Sequence, residues 1–329
     1  MGDDREDKSE HMNKRERIMA LAEGRDVDRT PVGFWLHFPE DKRHGQPSVE
    51  EHLKFFKETE TDLFKIMNEY LYPNEHNIFA SGDWRNVKAC KRDSRFIREE
   101  IDMVKRIIDA VKGEAVVVNT IHGVVSSATH AHTGQFSYAS KGRYAQLYHL
   151  RENPESVLSA YKAIAESLAI LAEESIKAGA DGIYYAAFGG ERDGFTDEEH
   201  ARYIAPLDKQ VLEAAQKAPC NILHMCKPKV DLKRFIDYPC RIVNWGVKES
   251  GVTLPEAASI FPDKIRMGGI NDDSPALKLG DFEGIKREVH GLIDSMGTKN
   301  FIIGSDCVLS SEMEYGKIAL AARAAACYV

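Results

Sequence analysis

Residues 154–187 read PESVLSAYKAIAESLAILAEESIKAGADGIYYAA, and this stretch holds both halves of a repeating pattern. Val157, Tyr161, Ile164, Leu168, Leu171 and Ile176 recur at helical spacing on one side of residues 154–178, and Gly179 stops the helix. Residues 182–187 then run almost unbroken in apolar side chains, as a parallel strand buried on both faces does. The same rhythm extends in both directions. Further β-rich runs fall at 31–36, 63–67, 115–121, 221–226, 241–245, 265–269 and 301–304, with helical spacing between them. Eight strands joined by helical crossovers predict an α/β fold of one domain, a single (β/α)8 TIM barrel. A doubly wound open sheet is the alternative, but no Gly-x-Gly-x-x-Gly follows the first run to favour it.

The chain has 329 residues, ample for such a barrel, and 43% hydrophobic with 29% charged residues is the balance of an ordinary globular protein. Residues 1–13 are charged, lack hydrophobic periodicity and read as a flexible tail, which leaves 14–329 as the barrel domain. A net charge of −8 argues against a nucleic-acid binder or a basic membrane-surface protein. With no long uncharged apolar run and no apolar leader, a cytoplasmic protein is expected. Six scattered cysteines do not make a disulfide framework, so each is reduced, as core filler, nucleophile or metal ligand. Residues 123–142 and 188–196 are the longest non-periodic stretches, and both follow strands, where a barrel keeps its active-site loops.

The sharpest chemical signal is Leu223-His224-Met225-Cys226 at the end of the fifth run, answered by Gly304-Ser305-Asp306-Cys307 at the end of the eighth. Residues two apart on a strand project to the same side, so His224 and Cys226 can share one metal ion, and Cys307 can close the site across the barrel mouth. One imidazole and two thiolates leave a fourth tetrahedral position open, the arrangement of a catalytic zinc site, and soft thiolates disfavour magnesium, calcium and manganese. The competing reading makes His224 a hydrogen-bonded core histidine and both cysteines small core hydrophobes. His37, Asn119, His122, Tyr185 and Asn244 lie at or just after strand ends, where substrate could be oriented or ligands supported, and Glu69 and Glu191 are candidates for a fourth ligand or a general acid. His130-Ala131-His132 has the look of a second metal pair, but the stretch around it reads as a solvated loop. Asp197-Glu198-Glu199 are first-turn acids of a helix.

From Lys14 onward the chain resembles the uroporphyrinogen-decarboxylase superfamily. The similarity is carried by Lys14-Arg15-Glu16-Arg17-Ile18, Asp28-Arg29-Thr30-Pro31-Val32, residues 195–216 with Tyr203, Pro206 and Asp208, and then the His224/Cys226 stretch, Asn244-Trp245, Met267-Gly268-Gly269-Ile270 and the stretch ending at Cys307. The resemblance implies a β/α barrel and one of two activities, decarboxylation of a porphyrinogen or methyl transfer from a corrinoid. The decarboxylases meet their polycarboxylate substrate with an arginine-bearing loop after the first strand; here that place holds Trp35-Leu36-His37-Phe38-Pro39. The family's pyrrole-facing aspartate falls near Asn68-Glu69, leaving a carboxylate in altered form. The methyltransferase branch carries His-x-Cys and a distant Cys as zinc ligands, which assigns His224, Cys226 and Cys307 to Zn²⁺. Its methyl donor or acceptor would be a corrinoid (methylcobalamin) on a separate corrinoid protein, since no Asp-x-His-x-x-Gly signature occurs here. The other partner would be a small thiol or a methylated compound. Homodimers are common among the family's barrels, and the acidic surface is compatible with one. A barrel kept only to bind a tetrapyrrole is a third, non-enzymatic reading.

Overall fold

The computed structural model describes residues 11–136 and 140–328. Eight parallel strands form one sheet: β1 (Val32–Gly33), β2 (Leu63–Ile66), β3 (Val116–His122), β4 (Gly182–Ala187), β5 (Ile222–Met225), β6 (Ile242–Trp245), β7 (Ile265–Ile270) and β8 (Phe301–Ser305). Their order, β1-β8-β7-β6-β5-β4-β3-β2, wraps the last strand back onto the first and makes a TIM barrel. Between β1 and β2 no ladder forms. There the Asp62 N–H donates to the Val32 carbonyl at 2.7 Å, while the Asp62 carboxylate accepts from the Val32 N–H at 2.8 Å and from Arg17 and Arg29 at 2.7–2.9 Å.

Strand alternation sorts the core into two layers. Leu63, Val118, Tyr184, Ile222, Met267 and Ile302 point into the barrel, and Ile18 and Leu21 of the helix Lys14–Ala22 pack with them. Phe64, Ile66 and Val117 point outward onto Val104 and Ile107 of the helix Arg95–Val111. The helix Pro154–Lys177 starts where the Asn153 side chain accepts from the Ser156 N–H at 3.3 Å, and Gly179 follows its end at φ +105°, a conformation glycine adopts without strain. Its buried Val157, Tyr161, Ile164, Leu168 and Leu171 are the stripe visible in the sequence. Gly182 is required by contact: a Cβ there would stand 2.4 Å from the Cys220 carbonyl oxygen.

The non-periodic stretch 123–142 departs from its reading as a loop. It holds the helix Val124–Thr133, and a second helix, Ser140–Glu152, begins within it; residues 137–139 lie outside the described residues. Ser126, Ser127, Thr129 and His130 are all buried there, so tertiary packing overrides their weak helix preference. Residues 188–196 are irregular as expected, and Thr196 caps the short helix Asp197–Glu199. Of the expected tail, residues 1–10 lie outside the described residues, while Asn13 caps the first helix in a capping box with Glu16.

Candidate metal centre

His224 and Cys226 point into the barrel from the end of β5, buried to 4% and 8% exposure. Cys307 follows β8 and brings its Sγ to 3.7 Å from His224 Nε2; the three donor atoms all lie within 4.8 Å of one another. The turn that aims Cys307 is held by Asp306. One of its carboxylate oxygens accepts from the Gly269 N–H at 2.9 Å, the other from the Val247 N–H at 3.1 Å. Gly268 and Gly269 have φ of +140° and +101°, which explains the paired glycines at the end of β7.

Asn244 lies opposite His224 in the β5–β6 register, and its Oδ1 is 2.5 Å from His224 Nδ1. The Asn244 amide nitrogen donates to the carbonyls of Met267 at 3.0 Å and Ser305 at 3.1 Å. Both amide hydrogens are thereby used, so Oδ1 must accept, Nδ1 of His224 must donate, and the lone pair is left on Nε2 facing Cys307. Tyr184 adds a hydroxyl to the same Oδ1 at 3.2 Å and stacks its ring on the imidazole at 5.5 Å. The two thiols are coupled. A hydrogen bond from Cys307, partly opposed by burial, brings Cys226 down to about 7, and Cys307 is pushed well above its ordinary value by that same pairing and by burial.

These donors suit a tetrahedral soft cation. Bonds of about 2.0–2.3 Å space ligand atoms by roughly 3.3–3.8 Å, a spacing His224 and Cys307 already have. The set contains no hard oxygen donor that would favour magnesium or calcium.

The donors form one wall of a cavity at the C-terminal ends of the strands, where a barrel places its chemistry. The other walls include Trp35, His37, Lys65, His122, Phe136 and Phe188. Behind His37 stands Glu69, its Oε1 2.8 Å from Nδ1 and its Oε2 buried without a partner. Burial pushes the Glu69 carboxyl up, yet the His37 hydrogen bond and nearby positive charge prevail and hold it below its ordinary value. Burial brings His122 down to about 4, so it is neutral, and its Nε2–H donates to the Asn68 carbonyl at 2.8 Å.

Of the residues singled out in the sequence, His224, Cys226 and Cys307 converge, His37 and His122 line the cavity, and Asn244 and Glu69 stand directly behind lining histidines. Asn68 instead holds the turn after β2, donating to the Thr120 carbonyl at 3.3 Å and accepting from the Tyr70 N–H at 2.9 Å. Asn119 and Tyr185 do not meet the cavity. Asn119 donates to Ser175 at 3.0 Å in the helical layer; Tyr185 donates to Asp208 and accepts from the Val124 N–H at 3.1 Å. Both occupy outward positions of strands whose inward neighbours are Thr120 and Tyr184. Glu191 accepts from Arg143 and from the Gly189 N–H at the rim of the barrel. His130 and His132 part company: His130 lines the cavity, whereas His132 packs on Trp84 and His149.

Lys65, Trp35, Tyr184 and Phe188 were missed in the sequence. Lys65 carried a signal, a lone cation inside the apolar run Leu63-Phe64-Lys65-Ile66-Met67. It is 7% exposed, its Nζ touches the Met67 sulfur at 2.8 Å, and burial pushes its pKa down to about 7.

Residues 67–328 match the family described as Uroporphyrinogen decarboxylase (URO-D). No curated protein matches the sequence. Among solved structures, a methyltransferase from Methanosarcina mazei superposes with a TM-score of 0.76 at 14% identity, covering 96% of this chain and 98% of that one. A B12-independent methionine synthase from Shewanella, in complex with selenomethionine, gives 0.61 at 12% identity, with 91% and 97% covered. At such identities these likenesses speak for the fold.

Proposed function

We propose that this chain, which belongs to the uroporphyrinogen decarboxylase family, is a zinc-dependent methyltransferase that moves a methyl group between a corrinoid protein and a small thiol or methylated substrate. The observation that carries this reading is the convergence of His224 Nε2, Cys226 Sγ and Cys307 Sγ on one wall of the barrel cavity. These three residues would hold the zinc, which supplies a Lewis-acidic centre that keeps a bound thiol ionised and nucleophilic at neutral pH. Asn244 presents the imidazole in the tautomer such a centre needs. Trp35, Tyr184 and Phe188 exclude water from the place where the methyl group would pass, and His37, oriented by Glu69, stands across the cavity where a proton can be taken up or returned. The corrinoid would be presented at the cavity mouth by a separate protein. The two solved structures named above, the methyltransferase and the B12-independent methionine synthase, carry methyl-transfer names, which supports the transfer itself.

The decarboxylase reading draws on the family match and on the carboxylate of Glu69 behind His37. Among the described residues no arginine lines the cavity, and the single lysine there, Lys65, is no counterpart of the paired arginines that meet a polycarboxylate.

Metal analysis is the test. The purified chain should hold close to one zinc, and Cys226→Ala or Cys307→Ala should lose it while keeping the circular dichroism of the wild type. The wild type, unlike the variants, should demethylate methylcobalamin in the presence of a simple thiol. A chain that neither contains nor takes up metal would refute the assignment, as would decarboxylation of uroporphyrinogen at a rate indifferent to Cys307→Ala.

A further inference from the structure

Lys65 is an amine whose charged form has poor company. It projects into the barrel from β2 on the same side as Leu63 and Met67. Its Nζ lies 4.2 Å from the ring centroid of Tyr184 and 5.2 Å from that of Trp35, with the Met67 thioether as its hydrogen-bond acceptor. Among the described residues no carboxylate forms an ion pair with it. Glu69 and Cys307 attract it only through space, and Glu69 bonds His37 through Oε1. Rings and a thioether are weak substitutes for water around a buried cation, so the site is completed by a negative charge. Among the described residues, Lys65 opens toward such a charge through the cavity it shares with His224, Cys226 and Cys307.

Charge counting says where that negative charge belongs. A dication held by one neutral imidazole and two thiolates is neutral overall. A fourth ligand that is neutral leaves it so, and Lys65 gains nothing; a fourth ligand that is an anion makes the centre −1, and Lys65 returns the sum to zero in surroundings of low dielectric. Tyr184 links the two sides, receiving Nζ against its ring and stacking that ring on the His224 imidazole at 5.5 Å.

We propose that Lys65 is the counter-charge for an anionic fourth ligand at the His224, Cys226 and Cys307 centre, and thereby selects a thiolate over a neutral ligand at that position. The inference rests on the metal-centre reading above. Lys65 acts here through its charge on the incoming ligand, and needs no bond to the metal.

The full chain with cobalt(II) in place of zinc gives the test, because thiolate and imidazole binding each change its visible absorption. 2-Mercaptoethanol serves as the anionic probe, bound as its thiolate, and imidazole as the neutral one. In Lys65→Met the affinity for 2-mercaptoethanol should fall by roughly 10-fold or more while that for imidazole stays within about twofold, and Lys65→Arg should restore the thiol. Lys65→Gln is a second uncharged variant, and one bound cobalt per chain certifies that each variant is folded. Equal weakening of both probes would reduce Lys65 to a matter of cavity shape and overturn the proposal; so would unchanged thiol binding in Lys65→Met. A wild type that binds cobalt and shows either result leaves the metal centre standing, whereas one that binds no cobalt overturns the metal centre and the role of Lys65 together.

Discussion

Replacing Asn244 with leucine separates a histidine that is a metal ligand from one that merely fills the core. Asn244 is fully buried and joins four groups: the His224 imidazole at 2.5 Å, the Tyr184 hydroxyl at 3.2 Å and the carbonyls of Met267 and Ser305 at 3.0 and 3.1 Å. Leucine has the same branching but is bulkier, and it removes a hydrogen bond from both carbonyls and from the Nδ1–H. At about 1–3 kcal/mol for each buried group so stranded, less what relaxation recovers, Asn244→Leu should lower the stability of the metal-free protein by about 3–5 kcal/mol. Freed from its acceptor, the imidazole loses both its orientation and its fixed tautomer, and zinc affinity should fall by about 10–100-fold. Urea unfolding followed by circular dichroism gives the first quantity; competition with a chromophoric chelator gives the second, at a temperature where the variant is folded. If Asn244→Leu were destabilised but bound zinc within about threefold of wild type, the claim that Asn244 prepares His224 for metal would be wrong.

Asp208 gives a pH dependence. Burial raises its carboxyl to about 7, against the hydrogen bonds from Tyr185 and Tyr238, so between about pH 4 and 7 the folded chain keeps a proton that the unfolded chain has released. The contribution of Asp208 to stability should therefore decline as pH rises through that window, so that the wild type loses stability relative to Asp208→Asn at up to about 1.4 kcal/mol per unit. Urea midpoints of the metal-free proteins from acid to neutral pH check this, and parallel slopes for variant and wild type would refute it. Asp62→Asn weakens the fully buried acceptor of Arg17 and Arg29 and should cost about 3–5 kcal/mol in unfolding experiments, while chelator competition finds zinc affinity within about threefold of wild type. A loss of zinc affinity as large as that of Asn244→Leu would show that the β1–β2 closure shapes the metal site.

The barrel was legible because its strands are short, apolar and evenly spaced, and all eight expected runs are strands, with ends displaced by only a few residues. The convergence of His224, Cys226 and Cys307 was legible for the same reason that some other residues were misplaced. Alternation along β5 puts His224 and Cys226 on one side; applied with equal rigour to β3 and β4, it would have turned Asn119 and Tyr185 outward and admitted Thr120 and Tyr184. Lys65 needed the same step, together with the recognition that a charge within an apolar strand has to be accommodated somewhere. What no local pattern could supply is the helix Val124–Thr133, whose serines, threonines and histidines become helical because their burial is decided by distant parts of the chain.

The closure at Asp62 makes the barrel a hoop with one joint, held by a single backbone hydrogen bond and a carboxylate where every other neighbour is stitched by a ladder. From β5 through β6 and β7 to β8 the stitching is continuous, and this unbroken arc sets the span between His224 and Cys307. Lys65 stands at the edge of the joint. It hangs from the other end of the same run of ladders, through β3 and β4, so loosening the joint parts β1 from β2 while the frame that carries the ammonium and the three donors stays whole.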